Sequence, residues 1–193
     1  MTPRLTKLTL MVLELTYETY FMISHSFLCD SLSSLKEFAD QLSSQPEIEQ
    51  ANIQLNGELG AGKSTFTRFL LQSMGVKGTI KSPTYAVMEE YATHTHNKDI
   101  QIWHFDFYRF NDPGEWEDAG FRDVFTMKGL KISEWPEKAK GYLPEPDLWI
   151  DFQFIDPTQG EDHRLIEAHR LIKIVAPTPL GQSLISGWMS PCP

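Results

Sequence analysis

Cysteine is almost absent from this chain: Cys29 and Cys192, near its two ends, are the only ones in 193 residues. Thiols so placed form no CxxC pair and no metal-ligand spacing, so neither a disulfide framework nor a structural zinc site underlies the fold. Both read as structural thiols in a reducing compartment. Basic residues are also scarce, with 17 Lys and Arg against 26 Asp and Glu and a formal charge of −9. Such a chain repels phosphate backbones unless its cations cluster, which argues against broad nucleic-acid binding by the chain alone. No apolar run approaches the roughly 18 residues that a membrane-crossing helix needs. Arg4 and Lys7 precede the apolar stretch from Leu8 to Leu13 in the manner of a secretory signal, but Glu14 and Glu18 interrupt it and no small-residue cleavage site follows. A cytoplasmic protein is expected.

What remains is an ordinary globular composition, 41% apolar and 22% charged, at a length that suits one domain with a core of its own. Met22 begins a segment that reads as a first strand. From Asp30 to Ser43 the apolar residues Leu32, Leu35, Phe38, Ala39 and Leu42 recur at three- and four-residue steps, with Ser34 and Glu37 spaced as a capping box, and predict a surface helix. Ala51 to Asn56 alternates as a strand and runs into Gly57. Lys63 to Met74 places Phe66, Phe69, Leu70 and Met74 on one helical face, with Gly75 as its C-terminal cap. Further strands are predicted at Ile100–Phe105, Leu130–Glu134 and Leu148–Ile155, the last with Leu148, Ile150, Phe152 and Phe154 on one side. A short helix is predicted to open at Pro113 and end near Gly120. Strands and helices interleave, with no internal repeat.

Between the strand that ends at Asn56 and the helix that opens at Lys63 lies Gly57-Glu58-Leu59-Gly60-Ala61-Gly62-Lys63-Ser64, followed by Thr65. It satisfies G-x-x-x-x-G-K-[ST] in the strand-to-helix context that phosphate binding requires. Glycines let successive main-chain N–H groups point inward at phosphate oxygens, and the helix adds its positive end. Lys63 is expected to reach the β- and γ-phosphates and the Ser64 hydroxyl to be a ligand of Mg²⁺, so the chain is expected to bind ATP with Mg²⁺ and to hydrolyse it. A second, carboxylate ligand is usual at the end of a neighbouring strand. Asp106 is the first candidate, and Glu134, which closes the strand from Leu130, is a candidate to position the attacking water. The fold class expected is α/β: a single P-loop NTPase-like domain with a mixed β-sheet flanked by helices. It would occupy residues 22–175, between an N-terminal extension (1–21) and a tail rich in Pro, Gly and Ser (176–193) that leaves the domain.

Four linked blocks resemble the TsaE family, also called YjeE: the phosphate loop through Phe66, Lys81-Ser82-Pro83-Thr84-Tyr85, His104-Phe105-Asp106-Phe107-Tyr108-Arg109 and Ser133-Glu134-Trp135-Pro136. The likeness runs from about Ser24 to Phe154. It implies a small P-loop domain with a mixed sheet and an ATPase that works with TsaD and TsaB in making N6-threonylcarbamoyladenosine on tRNAs that read codons beginning with A. Hydrolysis would support repeated cycles of the modifying complex, and tRNA would be met only through that complex. The resemblance also implies that Asp106 is a metal-linked acid, that Glu134 is the catalytic acid with a place at the metal, and that Thr84 follows the γ-phosphate as a switch hydroxyl. Ser64 stands where the family more often has Thr, preserving the hydroxyl. It leaves His104, Arg109 and Trp135 without assigned roles.

Two other readings compete. A small-molecule kinase would use Asp106 or Glu134 as base, but Arg164 and Arg170 lie in a late segment without lid composition. A nucleotide-sensing module would bind without hydrolysing. Guanine selection is disfavoured, because Asn97-Lys98-Asp99 sets the acid one residue too early for an N-K-x-D loop.

Overall fold

The computed structural model describes residues 22–83, 85–95, 97–155 and 169–187. Seven strands form one mixed sheet: β1 (Ile23–Cys29), β2 (Asn52–Gly57), β3 (Met88–Thr95), β4 (Lys98–Asp106), β5 (Leu130–Glu134), β6 (Leu148–Phe154) and β7 (Arg170–Ala176). Among the described residues five α-helices accompany it: α1 (Leu32–Ser43), α2 (Lys63–Ser73), α3 (Glu115–Asp118), α4 (Phe121–Thr126) and α5 (Pro179–Ser186). The strand order is β1-β7-β6-β2-β5-β4-β3. The four inner strands β6, β2, β5 and β4 pair in parallel, and antiparallel pairs close both sides. The mixed α/β architecture expected from the interleaved pattern is present.

Central position explains the composition of β2. Its apolar residues Ile53 and Leu55 point to the main core, where both are fully buried. Its alternate residues Asn52 and Gln54 face the other way and donate side-chain N–H to the carbonyls of Glu145 and Pro144. Amides are tolerated in a buried strand because that neighbouring segment supplies acceptors. Above the first face α1 and α2 pack together, with the Phe38 and Phe66 rings stacked at 4.7 Å. A second, aromatic cluster holds Trp103, Phe105, Phe107, Phe110, Trp116 and Phe121. Alternation along β4 assigns its residues to the two sides: Trp103 and Phe105 enter the aromatic cluster, Ile100 and Ile102 the main core.

Several local expectations shift. The capping box sits one turn earlier, on Ser31 and Ser34, whose backbone N–H and hydroxyl groups bond reciprocally at 3.1 Å. The chain enters α1 directly out of β1, so Leu32, though in step with the apolar stripe, is exposed. Leu148, Ile150 and Phe152 are buried as expected, whereas Phe154, at the strand end, is 43% exposed. The residues Asn97-Lys98-Asp99 belong to the β3–β4 hairpin, with Asn97 at φ 62°, and have no part in a nucleotide loop. Edge strand β3 and strand β7 lie where the sequence pattern predicts no strand.

The tail, expected to leave the domain, packs against it as far as α5. Ala176 ends β7, Pro179–Ser186 is a helix, and Leu184 and Ile185 are fully buried in the main core. Thr178 caps it, accepting from the Gly181 N–H and donating to Asp147. A Cβ on Gly181 would lie 1.8 Å from the Asp147 carbonyl oxygen, so only glycine permits this approach. Pro, Gly and Ser here are helix-start and close-packing residues, not linker composition. Residues 1–21 and 188–193 lie outside the described residues. Leu184→Ala is expected to lower stability in urea unfolding by about 2–5 kcal/mol, the loss typical of a buried Leu. A change within about 0.5 kcal/mol, as at an exposed position, would mean that α5 is not docked.

Candidate functional site

The parallel strands β2, β5 and β4 end at one edge of the sheet, where α/β proteins place their ligands. Leu55 of β2 pairs with Glu134, and Glu134 pairs with Asp106, so the two acids are side by side in register. Asp106 follows His104 and Ile102 at two-residue steps, and Glu134 follows Ile132 and Leu130, which lie in the main core. Both carboxylates therefore emerge on the face that carries α2.

The loop from β2 to α2 turns at three glycines of positive φ: Gly57 (134°), Gly60 (82°) and Gly62 (110°). At Gly57 a Cβ would also meet the Phe152 carbonyl oxygen at 2.5 Å, so this glycine lets β2 end against β6. Gly62 is the N-cap of α2 and supplies no capping side chain. The first amides of the helix thus open toward the loop, the arrangement that attracts anions.

Lys63, first residue of α2, is only 4% exposed. Its Nζ donates to the Gly57 carbonyl at 2.5 Å and the Glu58 carbonyl at 3.0 Å, and lies 3.8 Å from the centre of the Trp135 ring. Burial pulls its pKa below the ordinary lysine value, and the charges of Glu134, Glu137 and Asp106 act in the opposite sense. Ser64 donates its hydroxyl to Glu134 Oε2 at 2.8 Å. The other oxygen of Glu134 is 2.9 Å from His104 Nε2, in a pair with both side chains 1–2% exposed. His104 Nδ1 is buried without a partner among the described residues, so the proton of the contact belongs on Nε2. Asp106 accepts the Tyr108 backbone N–H at 3.1 Å and the Ser82 hydroxyl at 3.1 Å.

Lys63, Ser64, Asp106 and Glu134 face one cavity of about 260 Å³. Leu59, Gly60, Ala61, Gly62, Lys63, Ser64 and Thr65 line one wall; Ser82, Asp106, Tyr108, Glu134 and Trp135 line the other. Gly57 and Glu58 stand behind it and hold Lys63 through their carbonyls. Thr84 lies outside the described residues, as does Arg164. Arg109 stacks 4.4 Å over the exposed Tyr85 ring, away from the two acids' hydrogen-bond network.

Three participants carry no clear signal in sequence. His104 proves to be the partner of Glu134, which only the β4–β5 register reveals. Trp135 adopts φ 59° and ψ 48°, a costly left-handed conformation for a bulky residue and one that a following proline disfavours. That turn brings its ring over Lys63 and 5.0 Å from the Tyr108 ring. Arg170, in a segment without lid composition, opens β7 and donates Nε–H to the Ala61 carbonyl at 2.5 Å. Chemically, the cavity offers inward amides, one buried cation and two carboxylates, a donor set for an anion accompanied by a hard cation.

A sequence model described as "Threonylcarbamoyl adenosine biosynthesis protein TsaE" matches residues 29–164. The chain belongs to the TsaE family. The Haemophilus influenzae tRNA threonylcarbamoyladenosine biosynthesis protein TsaE is 38% identical over 153 residues, covering 79% of this chain and 87% of its own length. The TsaE protein of Bacillus subtilis is 32% identical over 114 residues, covering 59% of this chain and 66% of its own. The resemblance drawn from the four sequence blocks is thereby borne out, and with it a place in a family of tRNA threonylcarbamoyladenosine biosynthesis. Among solved structures, Bacillus subtilis YdiB matches with a TM-score of 0.65 at 19% identity, over 88% of this chain and 96% of that one. This likeness supports the P-loop NTPase-like fold expected for a TsaE chain.

The pair His104–Glu134 makes a testable unit. Removing either partner leaves a buried polar group unsatisfied, so His104→Phe and Glu134→Leu are each expected to lose about 1–3 kcal/mol. The double variant should lose less than the sum by about 0.5–3 kcal/mol in a urea double-mutant cycle. Additive losses would mean that the contact is not made.

Proposed function

We propose that this TsaE chain is a Mg²⁺-dependent ATPase that acts with TsaD and TsaB in forming N6-threonylcarbamoyladenosine on tRNAs reading codons that begin with A. Its hydrolysis of ATP supports repeated cycles of the modifying complex, in the cytoplasm, with tRNA engaged through that complex. The observation that carries the reading is the convergence of Lys63, Ser64, Asp106 and Glu134 on one cavity behind the phosphate-loop motif. Among the described residues no helix is long and apolar enough to cross a membrane.

The residues fit Mg²⁺. Every donor on offer is an oxygen: the Ser64 hydroxyl and the carboxylates of Asp106 and Glu134. Among the described residues no three His, Cys, Asp or Glu side chains gather as a metal cage. A sparse oxygen set suits a small hard cation that keeps waters and takes phosphate oxygens. When bound, Mg²⁺ supplies charge neutralisation at the phosphate oxygens.

The chain's own groups do the remainder. The amides of Gly60 and of Gly62 to Thr65 bind phosphate oxygens, the Ala61 N–H being donated to the Glu58 carbonyl, and Lys63 exchanges the Gly57 and Glu58 carbonyls for the β- and γ-phosphates. Glu134 has both oxygens occupied, by Ser64 and His104. Release of the Ser64 hydroxyl frees Oε2 to orient an attacking water and take its proton, while His104 keeps the carboxylate fixed through Oε1. Trp135 and Tyr108 line the cavity beside Lys63, their rings 5.0 Å apart.

Hydrolysis by the chain alone is expected to be slow and to rise when TsaD and TsaB are present, because a partner completes or rearranges part of the site. Turnover unchanged by either partner would sink the partner-dependent reading, and a phosphorylated small-molecule acceptor would replace it with a kinase. Lys63→Ala is expected to reduce turnover by on the order of 100-fold or more. Asp106→Ala should chiefly remove the Mg²⁺ dependence of nucleotide binding, read by titration with and without the cation. Near-normal kinetics in both variants would overturn the site assignment.

A further inference from the structure

We propose that Arg170 is a positioning residue of the phosphate loop, holding the Ala61 carbonyl outward so that the next amide faces the phosphates; this rests on the nucleotide reading above. The topology puts it there. β7 runs antiparallel to β6, with Arg170 paired to Phe154 and to Cys29 of β1. The first residue of β7 thus stands at the same sheet edge where β2 delivers the loop. From that position Arg170 Nε donates to the Ala61 carbonyl at 2.5 Å, while its guanidinium carbon lies 5.7 Å from the Phe154 ring centre.

The consequence follows from peptide geometry. The Ala61–Gly62 peptide is trans, as are all peptide bonds in the described structure. In a planar trans peptide the C=O and the following N–H point in opposite directions. Fixing the Ala61 carbonyl toward Arg170 therefore aims the Gly62 N–H away from Arg170, and Gly62, Lys63 and Ser64 line the cavity whereas Arg170 does not. The donor is charged and sits on a sheet strand, so the bond is stronger and more fixed than a loop-to-loop contact. Ala61 itself is fully buried, which leaves its carbonyl little exchange with water.

Gly62 shows the same close approach from the other side. A Cβ there would sit 3.3 Å from Arg170 Nε and 3.7 Å from a Leu35 methyl, on a backbone already at φ 110°. The glycine serves both the left-handed turn and the seat of the arginine. A loop whose amides are aimed before the ligand arrives loses less ordering entropy on binding.

The test compares wild type with Arg170→Met, which keeps an unbranched stem without the donor, and Arg170→Lys, which keeps the charge without the fixed Nε–H. Two measurements are made on the full chain: the Kd for ADP with Mg²⁺ by calorimetry, and hydrogen exchange of residues 57–64 without nucleotide. Arg170→Met is expected to raise the Kd by about tenfold or more, the loss of one charge-assisted hydrogen bond. It should also speed exchange across Gly60 to Gly62, with Arg170→Lys intermediate in both. KM for ATP should rise while kcat at saturation changes far less, because the Lys63 and Glu134 side chains stay in place. A Kd within twofold of wild type together with unaltered exchange in Arg170→Met would overturn the proposal. Should the Met variant lose cooperative unfolding, the same criterion applies to Arg170→Lys. A wild-type chain that binds no ADP would sink the nucleotide reading instead, while exchange in the nucleotide-free chain still judges whether Arg170 holds the loop.

Discussion

Asp106 and Glu134 stand together because β4 and β5 pair in parallel with these two residues in register, and on the far side of β5 Leu55 of β2 pairs with Glu134. Everything at the site depends on that alignment. Side chains alternate along a strand, so a slip of one residue would send Glu134 into the aromatic layer and Ser133 toward the phosphate loop. What prevents the slip is apolar: Ile100 and Ile102 on β4, with Leu130 and Ile132 on β5, are buried in the main core. Trp103 and Phe105 are equally committed to the opposite face. The register is fixed by hydrophobic burial, and the acids inherit their positions from it.

Burial at the strand ends creates a second constraint. Lys63, His104, Asp106 and Glu134 are all nearly inaccessible, and an unpaired charge in such surroundings is strongly destabilising. They are arranged so that each meets another or the main chain: Lys63 two carbonyls, Glu134 a hydroxyl and an imidazole, Asp106 an amide and a hydroxyl. The set is nearly self-satisfied, and His104 Nδ1 is its one exception among these contacts. The left-handed turn at Trp135 adds strain of the kind that persists only where the surroundings impose it. Here Pro136 and Ala139, both buried, and the Tyr108 ring hold that turn in place.

Much of this was legible in sequence because the decisive signals are local. The strand, the glycine loop and the helix that follows occupy contiguous residues, and each has its own periodicity. Asp106 and Glu134 are acids at strand ends, a position visible without knowing which strands pair. What could not be read depends on pairing between distant segments. His104 looks like a core histidine until β4 is laid beside β5. Edge strand β3 (Met88–Thr95) reads as polar because much of it faces solvent. The helix α5 hides behind Pro179, Gly181 and Ser183, residues that suggest a linker in isolation. Gly181 is there to admit the Asp147 carbonyl, a contact across more than thirty residues of sequence.

The same non-local packing decides how the loop meets its ligand. In its first half the Lys63 ammonium already sits on the Gly57 and Glu58 carbonyls, so the cation is solvated by main chain in the resting protein. Neutral carbonyls are weaker partners than phosphate oxygens, so in the proposed nucleotide complex the exchange of one for the other would strengthen the interaction. In its second half the Ala61 carbonyl is turned outward to Arg170, and the amide behind it is turned inward. One half of the loop supplies a movable cation and the other a fixed dipole. The fixed half is fastened to β7, which packs on β1 and β6 and carries α5 behind it. Residues far from the four sequence blocks therefore set the stiffness of the phosphate cradle, and a truncation within β7 or α5 would be felt at the site even though no group there faces the cavity.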